Sequence, residues 1–244
     1  MTVIDTLVLD IEGTVCPITF VKETLFPYFL EKLPEYLSKV HFPLNEDAKN
    51  DPINSILLQL PEETSQTEES VKSYFSDLVA KDIKDPVLKS LQGFIWKSGY
   101  ESGELKAPVY PDSIDFIKQF PKANSANKIY IYSSGSIKAQ ILLFGFVDEN
   151  GTSVDLNKYL SGYFDITTAG YKTESTSYEK ILKEISKSEN PSSVLFLSDN
   201  VKEVEAAKAA GMESYIVVRP GNAPLTESDE KNHRIITSLS QLDI

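Results

Sequence analysis

The chain has 244 residues, 41% hydrophobic and 25% charged, with a formal net charge of -12 and one cysteine, Cys16. That composition is ordinary for a soluble globular protein, and the length allows one large domain or a domain with a sizeable insertion. The charge argues against general nucleic-acid binding and against anionic membrane surfaces, and one cysteine excludes an intrachain disulfide.

No apolar run approaches the roughly 20 residues of a membrane span. The first residues, MTVIDTLVLD, have no basic region and meet an acid at Asp5, unlike a secretory signal. A lone cysteine suits a reducing compartment. The expected location is the cytoplasm, with passive access to the nucleus.

In chain order, Thr6 to Ile11 (TLVLDI) is a short, nearly continuous apolar run ended by Gly13. It predicts a strand buried on both faces, as in a parallel sheet. From about Val21 to Leu105 the rhythm becomes helical. Leu25, Phe26, Phe29, Leu30, Leu33 and Leu37 recur at helical spacing, interrupted by Pro27 and Pro34. Val71, Tyr74, Phe75, Leu78 and Val79 repeat the pattern, followed by Leu88, Leu91, Phe94, Ile95 and Trp96. The acidic stretch from Glu46 to Glu69 reads either as a solvated face or as a partner site.

Further on, Ile129–Tyr132, Val194–Leu197 and Ser214–Val218 are apolar runs like the first. Helical stretches separate them at Ser136–Phe144, Tyr178–Ser186 and Asn200–Ala210, the last stopped by Gly211. Strands alternating with helices imply crossover units. The expectation is an α/β core of residues 1–20 and 106–244, with 21–105 inserted after the first strand as a helical cap. A second, independent helical domain is the alternative.

Four short motifs stand at strand ends or strand-to-helix loops. In Asp10-Ile11-Glu12-Gly13-Thr14, alternation along an extended segment turns Asp10 and Glu12 to one side. One carboxylate can attack phosphorus while the other moves a proton. The plain alternative is a polar strand-to-turn junction. Ser133-Ser134-Gly135-Ser136 offers hydroxyls and loop N–H groups to a phosphate oxygen; the alternative is a helix N-cap, and different serines can do each. Lys172, in Gly170-Tyr171-Lys172-Thr173, can offset phosphoryl charge or is merely solvated. Asp199, in Leu197-Ser198-Asp199-Asn200 with Glu203 beyond, can join Asp10 in holding Mg²⁺ or can cap a helix. Each motif is weak alone. Their common order and placement favour chemistry over structure.

This order of Asp, Ser, Lys and Asp resembles the haloacid dehalogenase superfamily, whose core is a Rossmann-like parallel sheet. Glu12 stands where most members have Asp, and that departure resembles the enolase-phosphatases of methionine salvage. The likeness extends to Pro17–Lys22, LFPY at Leu25–Tyr28, LQGFIWKSGYESGELKAPVYPD at Leu91–Asp112, IYSSGS at Ile131–Ser136 and LFGF at Leu143–Phe146. It thins between Asn45 and Ser70 and after Pro224. The resemblance implies a monomer that enolises and dephosphorylates a small phosphorylated diketone, 2,3-diketo-5-methylthiopentyl-1-phosphate, to an acireductone. It implies Asp10 as nucleophile and Glu12 as acid and base. Ser133, Ser134 and Lys172 would bind substrate, and one Mg²⁺ per subunit would be held by Asp10, Glu12 and Asp199.

Three rivals share parts of the pattern. A phosphatase of another small ester would share the core. A dehalogenase would need no metal. A receiver-type signalling domain also places Asp, a hydroxyl and Lys around Mg²⁺, but is about half this length and carries no such insertion.

Overall fold

The computed structural model describes residues 3–44 and 49–244. The start of the acidic stretch, at residues 46–48, lies outside the described residues. The chain divides into two compact units, Met1–Phe20 with Lys106–Ile244, and Val21–Leu105.

The first unit is built on a six-stranded sheet of order β5-β2-β1-β6-β7-β8. Its strands are β1 (Thr6–Leu9), β2 (Lys128–Tyr132), β5 (Gly162–Phe164), β6 (Val194–Ser198), β7 (Glu213–Val217) and β8 (Ile235–Ile236), and every adjacent pair is parallel. A separate antiparallel pair joins β3 (Val147–Glu149) to β4 (Thr152–Val154). The crossovers carry α5 (Pro111–Ala123), α6 (Ile137–Gly145), α7 (Ser175–Glu184), α8 (Val201–Ala209) and α9 (Glu227–Asn232).

The apolar runs of the sequence are the central strands. Leu7, Val8, Leu9, Ile129, Ile131 and Val194–Leu197 are all 0% exposed. A strand covered on both faces has no polar side to show, which is why these runs do not alternate. Tyr132, Tyr178 and Phe196 meet edge to face in the layer beside β6, at 5.5 and 5.0 Å between rings. Strand order turns at β1, with β2 and β5 on one flank and β6, β7 and β8 on the other. The crevice beyond the carboxyl ends at such a switch point is where open α/β sheets bind ligands. The register pairs Leu9 with both Ile131 and Leu197, which brings Asp10, Tyr132 and Ser198 to that edge together.

The second unit is helical and is inserted in the chain after β1. It comprises α1 (Phe26–Leu37), α2 (Pro52–Leu57), α3 (Glu68–Ala80) and α4 (Pro86–Ser102). Phe29, Leu33, Leu37, Leu57, Val71, Phe75, Leu91 and Ile95 form its core. The prolines do not interrupt α1 as their presence suggests. Pro27 falls in the first turn, where no N–H is needed, and the helix runs on through Pro34 for one more turn. Asp51, Thr67 and Asp85 cap α2, α3 and α4, and Gly103 ends α4 at φ 80°. Trp96 donates its indole N–H to Leu25 C=O at 2.9 Å and stacks on Phe26, so it serves packing within this unit.

Among the described residues no helix is long and apolar enough to cross a membrane.

Candidate active site

Asp10 follows β1 directly, and its N–H bonds to Leu197 C=O at 3.0 Å, which ties it to β6. The chain then turns. Ile11 C=O accepts from the N–H groups of Thr14, Val15 and Cys16 at 3.0–3.2 Å, and Gly13 N–H donates to Cys16 C=O at 2.8 Å. Gly13 takes φ +72°, open to glycine at little cost. It is also a matter of space: a Cβ there would lie 2.6 Å from Asp199 Oδ2 and 2.9 Å from Asn222 Oδ1.

Asp10 is buried, with its side chain 9% exposed. Its Oδ1 accepts from Ile11 N–H at 2.8 Å and pairs with Lys172 Nζ at 2.5 Å. Ser198 Oγ donates to its Oδ2 at 3.0 Å. Lys172 is buried rather than solvated, and its ammonium also reaches Glu203 Oε2 at 2.7 Å. Tyr178 Oη donates to Lys172 C=O at 2.7 Å and Tyr132 Oη to Gly170 C=O at 2.8 Å, so two core phenols fix the Gly170–Lys172 loop. Burial acts against the Lys172 ammonium, but the Asp10 and Glu203 carboxylates outweigh it and raise its pKa above the ordinary value. It stays a cation at neutral pH.

Asp199 follows β6, and it does not cap α8. That task falls to Asn200, whose Oδ1 accepts from Lys202 N–H at 3.0 Å. Asp199 is instead pushed up to about 7 by burial and by the Asp10 and Glu203 carboxylates, with Lys172 opposing. Glu203 is raised as well, first by burial and then by Asp10. The pocket thus holds more carboxylate than cation. Such a donor set fits a divalent cation that takes a few carboxylates plus water and substrate oxygens. No group of three or more His, Cys, Asp or Glu side chains among the described residues forms a ready-made metal cage.

Glu12 is half-buried on the turn. Ser133 and Ser134 stand beyond the end of β2, on the same edge of the sheet as Asp10. Ser133 is buried and its Oγ accepts from Gly135 N–H at 3.3 Å. The cap of α6 is Ser136, which leaves the earlier two serines out of that task. Gln140 holds the loop through bonds to Gly135 C=O and Phe164 C=O at 2.8 and 2.9 Å. No bond from either serine to Asp10, Lys172 or Asp199 is among those described.

Four residues outside the predicted set are part of this arrangement. Ser198 links Asp10 to Glu203, Glu203 shares Lys172, and Arg219 and Asn222 bond to the turn after Asp10. Ser198 and Glu203 lie inside or just past a recognised motif. Nothing local distinguishes Arg219 or Asn222.

The haloacid dehalogenase-like hydrolase family matches residues 4–211. "Enolase-phosphatase E1" of Scheffersomyces stipitis is 70% identical over 98% of this chain and 99% of its own length. The chain belongs to the enolase-phosphatase E1 family of haloacid dehalogenase-like hydrolases. "Enolase-phosphatase E1" of Candida tropicalis is 62% identical over 99% of both chains. The crystal structure of the UTR4 protein of Saccharomyces cerevisiae is 46% identical, with a TM-score of 0.83 over 98% of this chain and 100% of that one. Hydrolases of the superfamily typically require Mg²⁺, and a small phosphorylated metabolite is the substrate class consistent with the family.

Proposed function

We propose that this enolase-phosphatase enolises 2,3-diketo-5-methylthiopentyl-1-phosphate and transfers its phosphate through Asp10 to water. The product is 1,2-dihydroxy-3-keto-5-methylthiopentene, the acireductone of methionine salvage. The observation that carries this reading is the Asp10 carboxylate, buried and held by Lys172, Ile11 N–H and Ser198 at the sheet's switch point. A buried, oriented carboxylate beside a fixed ammonium is suited to attack on phosphorus, where catalysis is mostly positioning and charge stabilisation.

In the first transfer an Asp10 oxygen bonds to phosphorus as the bond from phosphorus to the substrate oxygen breaks. Glu12 gives that oxygen a proton. In the second, Glu12 takes a proton from water, the water oxygen bonds to phosphorus, and the Asp10–phosphorus bond breaks. Asp10 and Glu12 return to their starting states. Lys172 and the Ser133–Ser134 loop hold the phosphate oxygens. Asp10, Asp199 and the main-chain carbonyl of Glu12 would hold one Mg²⁺ per subunit. When bound, the ion neutralises charge on the transferring phosphate. On the same reading the enzyme acts as a monomer in the cytoplasm, with access to the nucleus.

Acid-quenching the enzyme during turnover and digesting it tests the nucleophile. The expected result is phosphate on the peptide containing Asp10, absent from Asp10→Asn. Full turnover in Asp10→Asn would overturn the reading.

A further inference from the structure

Arg219 and Asn222 lie in the loop after β7, remote in sequence from every motif, and both reach the turn that follows Asp10. Asn222 Nδ2 donates to Gly13 C=O at 2.9 Å and to Val217 C=O at 3.2 Å. Two carbonyl partners fix which end of the amide is nitrogen. Arg219 Nε donates to Thr14 C=O at 2.9 Å. Consecutive carbonyls of the turn are therefore each held by a side chain from one loop.

The Arg219 guanidinium is itself immobile. It pairs in a fork with Asp112 at 3.1 and 2.8 Å, donates to Ser113 Oγ and Thr237 C=O at 3.1 Å each, and lies 4.4 Å from the centre of the Tyr110 ring. It is 7% exposed. Five planar donors in a rigid fork can anchor several elements and still offer Nε to the turn. The other end of the Asn222 amide adds to the case. Its Oδ1 is buried with no hydrogen-bond partner among the described residues, against the same face of Gly13 as Asp199 Oδ2. A buried acceptor left unpaired costs stability. At this position it is retained beside a crowded group of carboxylates.

We propose that Arg219 and Asn222 are positioning residues for phosphoryl transfer, gripping the Gly13 and Thr14 carbonyls so that Asp10 and Glu12 keep their attack geometry. The inference rests on Asp10 being the nucleophile. The turn's own backbone bonds leave the Gly13 and Thr14 carbonyls to be fixed from this loop, and Gly13 is its most permissive residue, so loss of these bonds lets Glu12, next to Gly13, shift against the anchored Asp10. Both residues act on the backbone and neither is placed on the substrate. Their loss therefore slows the chemical step without weakening substrate binding.

The test compares Asn222→Ala, Arg219→Lys and Asp10→Asn under steady-state turnover with Mg²⁺, with thermal midpoints measured alongside. Arg219→Lys keeps a cation for Asp112 but loses the Nε bond. A misplacement of about 1 Å costs roughly 10²-fold in rate, so kcat should fall about that far in Asn222→Ala and by about 10-fold or more in Arg219→Lys. KM should stay within about twofold in both. Unchanged kcat in the folded variants, with Asp10→Asn inactive, overturns the positioning role and leaves the nucleophile standing. A rise in KM at constant kcat overturns it too, since that marks binding. Failure of both variants to fold also overturns it, because the two residues would then act on stability alone. Should Asp10→Asn turn over normally, the nucleophile reading itself falls.

Discussion

Asp199 occupies the space in which residue 13 would carry a side chain. An added Cβ at Gly13 would sit 2.6 Å from Asp199 Oδ2, inside any permissible contact, and the backbone there has φ +72°. The two facts act in the same direction. Gly13→Ala should destabilise the fold by about 1–2 kcal/mol through the left-handed backbone alone. It should also push Asp199 from its place and lower kcat by roughly 10²-fold. Chemical denaturation and steady-state kinetics read these separately. An alanine variant with full activity would show that the turn and Asp199 tolerate each other's movement.

Lys172 is the cation set between the Asp10 and Glu203 carboxylates. Lys172→Met removes that charge while keeping most of the side chain's length, and it leaves two acids facing each other in a site where each is 9–12% exposed. Breaking a buried pair from one side typically costs about 3–5 kcal/mol. Loss of a donor aimed at developing charge typically costs about 10²–10³ in kcat. The expected variant is folded but less stable, with turnover reduced by at least that factor. Wild-type kcat in Lys172→Met would remove the lysine from the chemistry.

Acid stability should report on Asp112. Burial works to raise its carboxyl, but bonds from Arg219, Leu239 N–H and Ser238, together with the Arg219 charge, bring it below the ordinary 3.8. A carboxylate depressed by folding contributes fully above its unfolded pKa, and that contribution is lost as pH falls through the folded value. Asp112→Asn should therefore be less stable than the parent at neutral pH by about 1–3 kcal/mol. The difference should shrink below about pH 4. Urea midpoints at several pH values test this, and a constant difference across the range would contradict it.

Cys16 should be inert in the native protein. It is 0% exposed, and burial followed by the nearby Glu12 carboxylate pushes its thiol well above the ordinary range. Thiolate is the reactive form, so iodoacetamide at about pH 8 should leave the folded enzyme unlabelled and active. Unfolding in urea should expose the residue to complete labelling. Rapid native labelling with loss of activity would mean that the turn carrying Cys16 opens in solution.

Sequence and structure agree where one physical rule dominates. Runs such as TLVL and VLFL are legible because a doubly covered strand admits almost no polar residue. The Gly-, Ser- and Asp-containing junctions that follow them are legible because strand ends are where an α/β sheet gathers ligands. Other features depend on distant pairing. The β5 strand has three residues of intermediate burial, too short for a periodic signal. Pro111 and Pro121 stand at the ends of α5 and obscure it as a helix. Asp199 in sequence is indistinguishable from a helix cap, and only the position of Asn200 releases it. Arg219 reaches Thr14 across 205 residues of chain, and no local pattern encodes such a bond.

One Mg²⁺-dependent site is expected both to enolise and to dephosphorylate the diketone. The most direct measurement incubates the protein with 2,3-diketo-5-methylthiopentyl-1-phosphate, with Mg²⁺ or with EDTA, and follows free phosphate and the ultraviolet absorbance of the enediol together. Both signals should rise in step with Mg²⁺, and neither should rise with EDTA. Phosphate release from other esters, with neither signal from the diketone, would contradict the substrate assignment, and full activity in EDTA would contradict the metal.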